Sequence, residues 1–105
     1  MAVDPDGNPA YISSNDKIFW KLKGKWSQLD GCSTGITIGP DGTLYSRDCN
    51  YYVNKFLGLD APNNYWERIG NKKCSRLAIG EDSRLWIRDY TDDQILVFDA
   101  QKNDF

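Results

Sequence analysis

Histidine is absent from this chain of 105 residues. That removes the side chain used most often as a general base, as a metal ligand and as a switch near neutral pH. A phosphate-cradling Gly-rich loop and a nucleophile motif are missing as well. Two carboxylate pairs remain. Asp4-Pro5-Asp6-Gly7 reads as a tight turn, with Asp and Pro setting the bend and Gly at positive φ, and Asp92-Asp93 reads as a solvated hairpin loop. The chain is therefore not expected to be an enzyme, and no catalytic residue or cofactor is assigned. There is no basic stripe: 13 Lys and Arg lie scattered among 15 Asp and Glu, for a net charge of −2. The electrostatic footprint of a nucleic-acid binder is missing. No apolar run approaches the roughly 18–20 residues that span a bilayer. The opening MAVDPDGNPA has neither a charged n-region nor an apolar h-region, so no secretory signal is expected in it. Repeat sequence follows the first Met at once, which reads as an engineered start or as that of a processed fragment.

Cysteine is scarce. Cys32, Cys49 and Cys74 cannot all pair within one chain. Two readings stand: buried thiols acting as small hydrophobes, or a bridge to another part of a parent molecule. No CxxC and no histidine complete a tetrahedral zinc site, so no metal is expected.

What the chain does have is aromatics, at 13 %, including four Trp, and a repeat. Residues 37–45 read TIGPDGTLY, residues 78–86 read AIGEDSRLW, and residues 2–11 read AVDPDGNPAY. Trp26 heads WSQLDG, and Trp66 heads WERIGN forty positions later. The final DAQKNDF matches DAPNNYW at residues 60–66 and puts Phe105 at the Trp66 position. No 10–15-residue segment shows helical periodicity, whereas short strand patterns alternate with turn chemistry throughout. The expectation is an all-β fold of antiparallel strands, in units of approximately 2–36, 37–77 and 78–105 within one domain spanning 1–105. Units of about 40 residues with four strands are propeller blades, and a ring needs typically 4–8 of them. The third unit stops at the start of its last strand. The sequence thus predicts an incomplete ring, closed by further copies of this chain or by the rest of a larger protein.

The run from Gly24 to Phe56 resembles the tectonin repeat: a Trp-led strand, a Gly, an apolar strand ending in Gly, an Asp-Gly turn and an apolar-aromatic strand. Trp26, Leu29, Gly31, Ile36, Ile38, Gly39, Asp41, Gly42, Leu44 and Tyr45 fit that order. Trp66, Ile69, Gly70, Leu77, Ile79, Gly80, Asp82, Leu85 and Trp86 repeat it. The Asp-Gly turn, Leu-Tyr strand and Pro-Asn loop before Trp66 are also similar to the blades of the tachylectin family, a five-bladed lectin propeller. The chain departs from the pattern at Ser83, where Gly is expected, at Pro9 and in the missing last strand. WD and kelch patterns fit less well, lacking their Gly-His, Trp-Asp or paired-Gly marks. The resemblance implies a lectin binding glycans, among them bacterial-surface or methylated sugars, or else a protein-interaction propeller. It also favours an extracellular or cell-surface setting.

Candidate binding residues follow from sugar chemistry: planar hydrogen-bonding groups for hydroxyls beside an aromatic face for the C–H side of the ring. Arg47-Asp48 with Tyr51, and Arg88-Asp89 with Tyr90, recur at matching places. Strand ends carry the loops where binding concentrates. The alternative is a repeated ion pair between blades. Asn63 and Asn64, in the polar loop at 60–65, are further candidates beside the plain reading of a surface loop.

Overall fold

A computed structural model describes residues 1–60 and 65–105. The described residues are all-β, with no α-helix. Strands β1 (Ala2–Val3), β2 (Pro9–Ile12), β3 (Ile18–Leu22) and β4 (Lys25–Leu29) form one antiparallel meander. Strands β5 (Ser33–Ile38), β6 (Leu44–Asp48), β7 (Tyr52–Phe56), β8 (Trp66–Ile79), β9 (Leu85–Asp89) and β10 (Ile95–Val97) form a second antiparallel sheet in chain order, curled into a half-barrel. The sheets meet where β5 packs against β1 and β2.

Turn chemistry recurs with the repeat. After β1, Gly7 N–H bonds the Asp4 carbonyl and Asp4 N–H bonds the Asn8 carbonyl. Gly42, Gly39 and Thr43 make the same two bonds after β5, and Ser83, Gly80 and Arg84 make them after β8. The bend position has positive φ each time: 84° at Gly7, 86° at Gly42 and 64° at Ser83. Only glycine adopts that conformation without a steric cost, so Ser83 holds it under strain. Gly39 is small for a second reason: a Cβ there would lie 2.7 Å from Ile79 Cδ1, because β5 and the end of β8 run close together.

The fourteen-residue β8 differs from the two short strands that the sequence suggests at Trp66–Ile69 and Leu77–Ile79. Its polar middle, Gly-Asn-Lys-Lys, reads as a loop. In the structure the chain bends at Gly70, φ 69°, and continues, because its first half pairs with β7 and its second half with β9. Backbone groups on both halves are thereby satisfied, and that outweighs the weak strand preference of the side chains.

Alternation along the strands divides the apolar residues into two layers. Ala10, Ile18, Trp20, Leu29 and Leu44 fill the first layer, with Phe56 and Trp66 packed against them. Val53, Ile69, Cys74, Leu85 and Ile87 fill the second, with Tyr45, Phe98 and Phe105 beside them. Leu29 and Ile69, each three residues after a Trp of the repeat, hold matching places. Truncating Leu29, fully buried, to Ala is expected to cost about 2–5 kcal/mol. Beyond the first layer, on the open face of the four-stranded sheet, Tyr11 stacks on Phe19 and meets Trp26 edge-on, with Trp26 50 % exposed. At the opposite end, Trp86 and Ile95 are exposed on the last strands.

Candidate functional site

The structure brings together some of the residues singled out from sequence and separates others. Arg47, from β6, reaches across to β8. Its Nε–H donates to Thr34 Oγ1 at 2.8 Å, and Nη1 donates to the Ser75 carbonyl. Its guanidinium also lies 5.4 Å from the Tyr51 ring centre. Tyr51 stacks on Tyr90 with centroids 4.9 Å apart and planes at 14°. Three candidates from two successive units thus form one ladder, Arg47–Tyr51–Tyr90. Arg88, at the place matching Arg47, turns instead to Asp93, with Nε 3.3 Å from a carboxylate oxygen and both side chains largely exposed. Asp89 is buried and accepts the Thr91 N–H at 2.8 Å, which fixes its hairpin turn. Neither Arg pairs with the Asp that follows it in sequence. Asn63 and Asn64 lie outside the described residues.

Asp48 sits apart from this ladder, in a cavity of about 400 Å³ lined by the link between the sheets and by strands β5 to β8. Its Oδ1 accepts the N–H groups of Asn50 and Tyr52, and its Oδ2 accepts Asn54 Nδ2–H at 2.9 Å. Trp66 forms an opposing wall, fixed by an Nε1–H bond to the Asp30 carbonyl at 2.7 Å. Arg68 completes the rim, its guanidinium 4.0 Å above the Tyr52 ring. At the back the hydroxyls of Ser33 and Ser46 share a buried hydrogen bond of 2.6 Å. The cavity therefore offers a fixed carboxylate, an amide, a planar cation and an indole edge around one space.

Strand register shows that this polar set is a departure from the repeat. Ser33 stands opposite Asp48, as Cys74 stands opposite Asp89. Ser46 and Asn54 face one another, as Ile87 and Leu96 do. Where the later unit packs Cys74, Ile87 and Leu96 into an apolar layer, the earlier unit holds two serines and an asparagine around a cavity. Hydroxyls and amides in a core layer weaken packing and must be hydrogen-bonded. The earlier unit thus holds a hydrogen-bonded polar cluster at a place that the later unit fills with hydrocarbon. The sequence reading named Asp48 as a candidate, took Trp66 as a mark of the repeat, and did not single out Asn54 or Arg68, which line the same cavity. Aligning the strands by pairing, rather than by the turn motif, exposes the Ser-Ser-Asn substitution.

The cysteines also sort by register. Cys32 and Cys49 form a disulfide across a 17-residue separation, with Cα atoms 5.5 Å apart. Cys74 is a free thiol with no exposed surface. By strand register Cys74 matches Ser33, not Cys32, so Cys32, one residue earlier, points the other way and lies exposed. Burial pushes the Cys74 thiol up to about 11, a rise that the Arg47 charge only partly opposes. No helix among the described residues is long and apolar enough to cross a membrane. No protein-family model matches this chain, and no curated protein sequence does either.

Proposed function

We propose that this chain is a piece of a β-propeller that binds carbohydrate without catalysis, through the cavity lined by Asp48, Asn54, Trp66 and Arg68. The observation that carries the reading is that Ser33, Ser46 and Asn54 stand where the later unit has Cys74, Ile87 and Leu96, beside a cavity where Asp48, Asn54 and Arg68 set three planar polar groups near the Trp66 indole. Sugar hydroxyls come in vicinal pairs that fit a carboxylate, an amide or a guanidinium, and the C–H face of a pyranose packs on an aromatic edge. The Arg47–Tyr51–Tyr90 ladder at the neighbouring junction is a secondary contact surface for the same ligand class. The resemblance to tectonin and tachylectin blades supports the reading at the level of repeat pattern. Each site is weak alone, and affinity rises when several engage one multivalent glycan.

In this reading the open faces at the two ends of the chain meet further blades, from other copies or from the rest of a larger protein. A second reading, a protein-interaction propeller piece, is favoured by the exposed Tyr11–Phe19–Trp26 cluster, since aromatic groups of this kind anchor protein interfaces. A glycan array together with immobilised bacterial lipopolysaccharide, run beside a protein pull-down, separates the two. Saturable glycan binding supports the lectin. Captured protein with no glycan bound supports the alternative.

A further inference from the structure

Asp16, Cys32 and Cys49 lie together at the junction of the two sheets, with a carboxylate oxygen and both sulfurs all within 4.8 Å of one another. They come from three separate segments: the β2–β3 turn, the link between the sheets and the β6–β7 turn. At the next junction the same three places are held by Tyr51, Lys73 and Tyr90. The backbone bonds establish the match: Ser33 N–H to the Asp16 carbonyl parallels Cys74 N–H to Tyr51, and Cys49 N–H to the Cys32 carbonyl parallels Tyr90 N–H to Lys73. One junction closes with stacked tyrosines, and the other with two sulfurs and a carboxylate.

We propose that the reduced form of this cluster is a binding site for a soft divalent metal ion, with Asp16, Cys32 and Cys49 as its ligands. The disulfide and the metal are alternative closures of one junction. A dithiol reductant transfers two electrons and two protons to the Cys32–Cys49 bond, giving two thiols and a cyclic disulfide of the reductant. Metal binding then displaces both thiol protons to solvent and forms two metal–sulfur bonds. Tetrahedral zinc has bonds of about 2.3 Å to sulfur and 2.0–2.2 Å to oxygen, so ligand atoms stand about 3.5–3.8 Å apart; the two sulfurs, bonded to each other in the oxidised form, open to that distance on reduction, which Cα atoms 5.5 Å apart allow. The carboxylate and the Cys32 sulfur are exposed, so reductant and ion both have access, and a fourth coordination position is left to water. The two backbone bonds across the junction do not depend on the sulfur–sulfur bond, so they keep the three ligands in place once it opens. Thiolate ligands select zinc and cadmium over harder ions such as magnesium and calcium. The spacing of 16, 32 and 49 matches no short metal motif, which is why the sequence alone does not show the set.

The test is a cadmium titration of the whole chain held reduced by a phosphine, followed by thiolate-to-cadmium charge-transfer absorption, with far-ultraviolet circular dichroism recorded on the same samples. Absorption saturating at one ion per chain is expected for the reduced protein, and none for the oxidised protein. Cys74→Ser should titrate as the parent does. Asp16→Asn should weaken cadmium binding by at least about tenfold, and Cys32→Ser by at least about a hundredfold. The proposal fails if the folded, reduced chain gives no charge-transfer band, or if the reduced chain is unfolded. It fails equally if either the Asp16 or the Cys32 variant binds cadmium as tightly as the parent.

Discussion

Phe105 meets Phe98 edge-on, with ring centroids 5.3 Å apart and planes at 68°. Trp66 meets Phe56 in the same way, at 5.4 Å and 62°. The last residue of the chain thus takes the packing role of the repeat's Trp, although only an isolated bridge between Asp99 and Asp104 accompanies it. Asp104 secures the arrangement by accepting the Asn71 N–H at 3.0 Å, and this bond, with that from Phe105 N–H, holds its carboxyl below the usual range. Phe105→Ala should cost about 2 kcal/mol, less than a fully buried Phe because the ring is only partly covered. In hydrogen exchange, residues 98–105 should lose protection before β6 and β7 do.

Ser83 occupies a position that Gly7 and Gly42 fill in the other units. Its side chain is exposed, so replacing it removes strain without opening a cavity. Ser83→Gly should stabilise the chain by about 0.5–1 kcal/mol, net of the extra unfolded-state entropy of Gly. For a domain of this size the melting temperature rises by about 2–8 °C. An unchanged or lowered melting temperature counts against strain at this turn.

Arg47 and Arg88 should part company on truncation. Arg47 ties β5 to β8 through Thr34 and Ser75, so Arg47→Ala leaves part-buried acceptors unmet and should cost about 1–3 kcal/mol. Arg88 has only an exposed ion pair, and Arg88→Ala should stay within about ±0.5 kcal/mol. Urea melts of both variants test this. Equal losses would mean that the two residues share a role after all.

Cysteine chemistry gives a pH dependence with a definite sign. The Cys74 thiol titrates near 11 when folded, against 9.0 without burial. Between those values the unfolded chain has lost a proton that the folded chain keeps, so stability falls as pH rises through this window. Cys74→Ala should flatten that alkaline decline, and Cys74 should resist alkylation until the chain unfolds. At the acid end, Asp41 and Asp104 are held low, Asp41 chiefly by the Thr43 backbone N–H. Their contribution is present above about pH 4 and lost as pH falls through their lowered folded values. Separately, opening the Cys32–Cys49 bridge should cost about 3 kcal/mol, from the loop it closes.

The strands and turns were legible because their signals are local. Asp-Gly and Lys-Gly bends, period-2 apolar runs and the recurring Trp each act within a few residues. Antiparallel pairing, and the absence of α-helix among the described residues, follow from those alone. The site was legible only in part. Asp48, Tyr51 and Tyr90 stand at turn ends, where loop position can be read from sequence. The bond from Asn54 to Asp48, the indole of Trp66 against Asp30 and the Cys32–Cys49 bridge all depend on register between distant strands. One-residue offsets decide them: Ser33 faces the core and Cys32 faces solvent.

The most direct test of the carbohydrate reading is to put the later unit's residue into the cavity. Asn54→Leu copies Leu96 and fills the space beside Trp66 with hydrocarbon. The parent chain and this variant are compared on one glycan array, with thermal melts of both. The account predicts that the parent binds a defined set of glycans, and that Asn54→Leu, which loses the bond to Asp48 but gains apolar contact, stays folded with a melting temperature close to the parent's while its binding falls by at least about tenfold, or 1.4 kcal/mol. Equal glycan binding by both chains, or no glycan binding by the folded parent, would contradict it.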